Sequence, residues 1–215
     1  MYNPGQFRVD APGRLHALMR EHPLATLVVH GPEGLEAAHL PLQLQEVDGG
    51  AVLRGHVARA NPLWRTIGAG CPALAVFHGP QAYVSPGWYP SKRVDGRVVP
   101  TWNYAVVHAH GTLLAVDDPA WLEAQVRALT DAHEAEREAP WSVDDAPGDY
   151  VARMLQGIVG IELAVARLEW KWKMSQNRSA DDRAGVVAGL RAGRDPGGAD
   201  VADCVAGGRG APRNG

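Results

Sequence analysis

Apolar positions along this chain fall in short runs with a period near two, and Gly, Pro and Asp punctuate them. Leu24 to His30 reads as one such strand, Gly31-Pro32-Glu33-Gly34 as a turn, and Leu35 to Gln45 as renewed extended chain. Asp48-Gly49-Gly50 is a hairpin signal leading into Ala51 to Val57. Ala73 to His78 and Gln81 to Val84 read as two strands split by Gly79-Pro80. Tyr104 to Val116 predicts a long strand with a bend or bulge at Gly111, and Ile158 to Leu168 a last strand.

Helical spacing appears between these runs. Asp10-Ala11-Pro12 opens a helix whose apolar face is Leu15, Leu18 and Met19, and His22-Pro23 stops it. Asn61 and Pro62 cap a short helix within Ala60 to Ala69. Asp118-Pro119 opens a longer one with Leu122, Val126, Leu129 and His133 on one face. Asp149 to Gln156 and Arg178 to Leu190 are helical in pattern. Five to seven short antiparallel strands with peripheral helices make the class mostly β (α+β), as a small closed or nearly closed barrel.

Composition changes this picture at one end. Residues 191–215 contain no Leu, Ile, Met, Phe, Trp or Tyr, and are rich in glycine. Such a segment is expected to be a disordered tail, because it buries too little apolar surface to offset ordering entropy. The expected organisation is therefore one domain over residues 1–190 and a tail over 191–215. Hydrophobic residues are 46% and charged residues 21% of the 215, as in ordinary globular proteins. With a net charge of −3 and no basic run, DNA contact is expected to be weak or indirect. No helix-turn-helix signature is visible. Cys71 and Cys204 form no CxxC and no disulfide framework, which points to a reducing cytoplasm. No signal peptide and no apolar run of membrane length is present, so no membrane partner is expected.

Three stretches carry candidate chemistry. Tyr83 to Lys92 and Val99 to Tyr104 crowd prolines, aromatics and polar tips together. That composition suits a planar conjugated ligand, or equally a proline-stiffened loop packed by its own rings. At Arg54-Gly55-His56 through Arg59-Ala60-Asn61-Pro62, two arginines, a histidine and an Asn meet where a strand gives way to a helix start. This is a phosphate cradle or an exposed basic corner. Lys171 to Arg178 puts Lys171 and Lys173 on one strand face and Trp170 and Trp172 on the other. It completes an anion site or caps the next helix through Ser175 or Asn177. His108 and His110 share a strand face, but no HExxH and no Cys/His cluster accompanies them, and no metal is assigned. A GxSxG elbow, a P-loop and a dinucleotide fingerprint are all missing.

These stretches, together with His39-Leu40-Pro41-Leu42, Val159-Gly160-Ile161-Glu162 and Lys173-Met174-Ser175-Gln176-Asn177-Arg178, resemble the PaiB family of FMN-binding negative transcriptional regulators. The resemblance covers residues 1 to about 190. It implies an FMN-binding split β-barrel like that of pyridoxamine-phosphate oxidases, and a homodimer with flavin at the subunit interface. It implies a phosphate site at His56, Arg59 and Asn61, with Arg54 in the same junction. The Arg-Lys pair of several oxidase relatives is reduced here to Arg59. The resemblance also implies a strand under the flavin at His39 and Leu40, and an isoalloxazine neighbourhood at Thr101, Trp102 and Asn103. Lys173 and Gln176 are expected to complete the site. The main alternative is an FMN-dependent oxidoreductase of a small substrate, with His56 and His108 as the reasonable acid–base residues. A haem-binding or haem-degrading split barrel is a third reading.

Overall fold

A computed structural model describes residues 1–7, 12–47 and 49–207. The helix-capping Asp10 and the hairpin residue Asp48 lie outside the described residues. Seven strands are present among them: β1 (Leu24–Gly31), β2 (Gly34–Pro41), β3 (Gln43–Val47), β4 (Gly50–Ala58), β5 (Cys71–Val84), β6 (Thr101–Val116) and β7 (Ile158–Lys173). They form one sheet in the order β2-β1-β5-β6-β7-β4-β3. The helices are α1 (Pro12–Glu21), α2 (Leu63–Ile67), α3 (Pro119–Glu134), α4 (Gly148–Gln156), α5 (Ala180–Ala192) and α6 (Gly198–Ala206). None of the described helices is long and apolar enough to cross a membrane.

The chain forms two compact units. One holds residues 23–76 and 109–168, and the other residues 1–22, 77–108 and 169 onward. In the first unit β1 pairs with β2, from Leu24↔Pro41 to Gly31↔Gly34, and with β5, from Thr26↔Val76 to Val29↔Ala73. On the other flank β4 pairs with β3 and β7. Alternation sends Ala25, Leu27, Val29, Leu53, Val57, Ile161 and Leu163 into the core. The sheet curls back on itself where β2 runs into β3. A Cβ on Gly55 of β4 would stand 2.7 Å from the Pro41 carbonyl oxygen, so only glycine allows that closure. Gly111 plays the same part between β6 and β7, where a Cβ would lie 2.0 Å from the Ala164 oxygen. Its predicted bend is a close backbone approach inside one continuous strand.

Helix α3 covers the outer side of β4 and β7. Trp121 lies over Gly160, whose missing side chain leaves room for the indole. Its buried face is Leu122 and Gln125, and His133 is exposed. The expected face through Val126 and His133 is thus rotated, because the polar Gln125 has a partner on the sheet, described below.

In the second unit α1 buries Leu15, Leu18 and Met19, the face read from the sequence. Strand β5 runs unbroken through Gly79-Pro80, correcting the expected split. Pro80 stands beyond the last β1 pair at Thr26↔Val76, so its missing N–H removes no bond to β1. Leu18 and Ala105 press on Gly79. The aromatic loop docks on α5: Trp88 occupies a groove made by Gly185 and Gly189, one helical turn apart. Asp182, itself buried, accepts hydrogen bonds from Ser91 N (3.1 Å) and Ser91 Oγ (2.9 Å).

The disordered-tail expectation fails for residues 198–206, which form α6. Val201, Ala202 and Val205 are buried, and Gly198 packs on the Leu190 carbonyl of α5. Three small apolar residues on one face suffice because the partner helix is already in place and the approach is close. Residues 208–215 lie outside the described residues.

Gly189→Ala is expected to lower stability by roughly 1–3 kcal/mol, because the added methyl would meet the Trp88 ring at 2.3 Å; a denaturant midpoint measures it. Hydrogen exchange is expected to show protected amides in 198–206, and random-coil exchange there would restore the tail reading.

Candidate functional site

The strand-to-helix junction near Arg59 is built in the first unit. Arg59 Nη1 and Nη2 donate to the two Asp117 carboxylate oxygens at 2.9 and 2.6 Å. Its Nε donates to Gln156 O (2.7 Å) and Nη2 also to Ile158 O (2.9 Å). Through this bidentate bond Arg59 holds the Asp117 carboxyl below its ordinary value, and its own guanidinium is raised. Asn61 Oδ1 accepts from Leu63 N at 2.9 Å in a tight turn before α2, which has only five residues and whose N-cap Pro62 has no side-chain bond. Both residues are engaged locally, and so short a helix presents no built anion site.

The neighbouring candidates are engaged as well. Arg54 Nε donates to Glu162 Oε2 (2.6 Å) and Nη1 to Gln45 Oε1 (2.7 Å), with its guanidinium 5.5 Å from the Trp121 ring centre. His56 Nδ1 and Gln125 Oε1 lie 2.9 Å apart, so the ring donates from Nδ1. Gln125 is only 3% exposed, and its Nε2 has no partner. Gln43 Nε2 donates to Ala128 O (3.1 Å). These contacts fasten α3 to the sheet. His39 Nδ1 and Thr26 Oγ1 share a 3.1 Å bond across the β1–β2 pair, and Leu40 is buried.

A cleft of about 730 Å³ opens beside Arg59, with Leu122, Val143, Val151 and Leu155 in its walls. Its second arginine, Arg127, reaches Glu123 and Asp144 at 2.9 Å each. Both cleft arginines are therefore neutralised, and neither offers an unpaired charge to an anion.

The second unit contains a different arrangement. Lys173, at the end of β7, bonds through Nζ to Thr101 Oγ1 at the start of β6. Burial, with the like charge of Lys171 second, pushes its ammonium below the ordinary lysine value. Lys171 itself stands 5.6–5.8 Å from the ring centres of Tyr2, Phe7 and Tyr104. Asn103, 0% exposed, donates through Nδ2 to Ser175 Oγ at 2.9 Å. Gln176 closes on its own loop: Oε1 accepts from Met174 N (2.7 Å) and Nε2 donates to Trp172 O (2.6 Å). Arg178 lies 4.5 Å from the Tyr89 ring centre. Among the described residues neither Lys173 nor Arg178 faces a carboxylate.

Residues 1–167 match the family described as "Putative FMN-binding domain". The chain is 31% identical over 95% of its length to the protease synthase and sporulation protein PAI 2 of Bacillus subtilis (strain 168), of which it covers 96%. It belongs to the PaiB FMN-binding family. It is also 33% identical to a protein of Emericella nidulans, over 89% of each chain. The FAD and heme binding protein from Mycobacterium smegmatis shares the fold, with a TM-score of 0.54 at 18% identity over 84% of this chain and 79% of that one. The architecture is thus a flavin-type split barrel, and FMN is the cofactor of the PaiB domain.

The two regions suit that cofactor unequally. A flavin phosphate needs donors that are not already spent. Arg59, Arg54, His56 and Gln176 each donate to a partner within the chain and Asn61 accepts one bond through Oδ1, whereas among the described residues Lys173 and Arg178 face no carboxylate. Trp102 is 52% exposed and meets Tyr83, 41% exposed, edge to face at 6.2 Å. Sequence reasoning kept Lys173 as a site residue, placed Arg178 in the same loop without a role of its own, and read Ser175 only as a candidate helix cap. The signal for Ser175 was conformational: φ is +59°, which no residue pattern announces.

Arg59→Ala is expected to return the Asp117 carboxyl to its ordinary range, read by NMR titration. The folded-state value is depressed, so the pair stabilises above the unfolded-state value and that contribution fades as pH falls through the folded one. FMN affinity in Arg59→Ala is expected to stay within about 0.5 kcal/mol of the parent.

Proposed function

We propose that this chain is a flavin-linked negative regulator of the PaiB type, acting as a homodimer, with the FMN phosphate received by Lys173, Thr101 and Arg178. The observation that carries the reading is a desolvated ammonium that bonds to Thr101 and has no carboxylate partner among the described residues, in a chain whose family is described as FMN-binding. Leaving such a charge half-buried is costly. A phosphate dianion repays that cost through charge-assisted hydrogen bonds, with the Thr101 hydroxyl as a further donor. Arg178 lies over the Tyr89 ring, and its guanidinium offers edge donors to the same oxygens.

The homodimer is supported by the apolar surface that one chain leaves uncovered. Trp102 and Tyr83 are exposed side by side in the second unit, and Val99 is exposed as well. Exposed aromatics of this kind are commonly covered by two-fold pairing, and they suit the face of an isoalloxazine as well. Regulation through direct, tight DNA contact is not favoured by a net charge of −3. The reading is therefore of a flavin sensor whose regulatory output passes through weak or partner-assisted DNA contact. Bound FMN supplies two-electron and one-electron redox chemistry; the residues named here bind and orient it.

Lys173→Gln is expected to weaken oxidised FMN by roughly 1.5–3 kcal/mol, the range for a hydrogen bond to a charged group, and to change riboflavin little. Fluorescence titration with both flavins measures this, and equal affinity of the parent for the two would overturn the phosphate assignment. Because Lys173 must be protonated to act, FMN affinity falls as pH rises through its lowered value, and Lys173→Gln removes that alkaline limb. Sedimentation of the FMN-saturated chain is expected to give a dimer; a saturated monomer would overturn the homodimer.

A further inference from the structure

Ser175 is the one non-glycine residue with a left-handed backbone among the described residues, at φ +59°. Glycine and asparagine take that conformation most readily, and serine seldom does. It is also buried, at 4% exposure, where no solvent contact compensates the strain. Something in the surroundings must hold it there.

The holding contacts come from three directions. Asn103, fully buried on β6, donates to the Ser175 hydroxyl at 2.9 Å. Arg178 N donates to Ser175 O at 3.0 Å, closing the turn from behind. Gln176 spans the front of the turn, with its amide between Trp172 O and Met174 N. A glycine would satisfy the backbone alone. The serine adds a hydroxyl, and among the described residues that hydroxyl accepts from Asn103.

The consequence of the turn is the placement of two charges. Lys173 enters it and Arg178 leaves it, two residues before and three after Ser175. The bond from Arg178 N to Ser175 O closes the span after Ser175 as a turn. We propose that Ser175 is a positioning residue of the cofactor site: pinned by Asn103, its left-handed turn holds Lys173 and Arg178 on its two arms so that both meet one anionic group. This rests on the reading that the Lys173 turn receives the FMN phosphate. It assigns no ligand contact to Asn103 or Ser175. Both are buried, and both act through the turn.

The hydroxyl and the backbone separate cleanly by substitution. Ser175→Gly keeps the left-handed conformation at no steric cost and deletes the pin. Asn103→Ser deletes the pin from the other side and leaves Ser175 in place. Titration of each full-length variant with FMN and with riboflavin, beside the thermal midpoint of the flavin-free chain, reads the effect. In Ser175→Gly the FMN dissociation constant is expected to rise about tenfold, the lower end for a weakened charge-assisted bond, while riboflavin stays within about twofold. The midpoint is expected to move by less than about 4 °C, a loss too small for general unfolding. Asn103→Ser is expected to show the same FMN-selective loss.

A Ser175→Gly chain that binds FMN as the parent does would overturn the proposal. So would an equal loss of FMN and riboflavin in both variants, which would make the turn scaffold only. Lys173→Gln is the reference that separates the two readings. If it leaves the discrimination between FMN and riboflavin intact, the phosphate assignment itself is wrong. If it abolishes the discrimination while Ser175→Gly and Asn103→Ser preserve it, only the positioning role is wrong.

Discussion

The cost of burying a polar group without a partner governs where this chain's side chains end up. Strand alternation fills the barrel core with Leu, Val, Ile and Ala, and so it turns Arg54, His56 and Glu162 outward together. Helix α3 then closes over that outer face, and each polar group beneath it needs a bond. Arg54 takes Glu162, Gln45 and the Trp121 ring, and His56 takes Gln125. Arg59 is fixed by Asp117 and two carbonyls at the edge of the same layer. A cluster that resembles a ligand site in one dimension becomes the fastening of a helix in three.

The same constraint marks what is left over. Lys173 is partly desolvated, has a hydroxyl beside it and, among the described residues, has no carboxylate to neutralise it. Arg54 and Arg59, by contrast, each face a carboxylate. A structural role would have been served better by an apolar residue of similar length. Binding an anion removes the penalty, and the family cofactor carries one.

Glycine contacts determine how tightly the layers meet. Gly55 and Gly111 admit backbone to backbone within the sheet, and Gly185 and Gly189 admit Trp88 to α5. The second pair has a functional side. It holds the aromatic loop against α5 while Asp182 anchors Ser91, so the Tyr89 ring under Arg178 belongs to a braced segment. The residues that orient the candidate site are thus supported from packed elements, which is what a preorganised binding site requires.

Much of this was legible in the linear chain. Period-two runs bounded by Gly, Pro and Asp are local signals, and they identified the strands and most helices because each depends on nearest neighbours alone. The ordered motifs from His39 to Arg178 identified the family for a similar reason: they are read as strings, without knowing what they touch. Pairing could not be read in this way. Asp117 stands 58 residues from Arg59, Gln125 69 from His56 and Ser175 72 from Asn103. Whether a cation is free or spent depends on which residue the fold brings opposite it. Helix α6 followed the same rule, since its few apolar residues acquire a buried face only against α5. The left-handed turn at Ser175 is likewise a property of its surroundings. Local periodicity determined the elements and the family; only the tertiary structure decided which polar side chains were consumed in holding the elements together and which remained to bind.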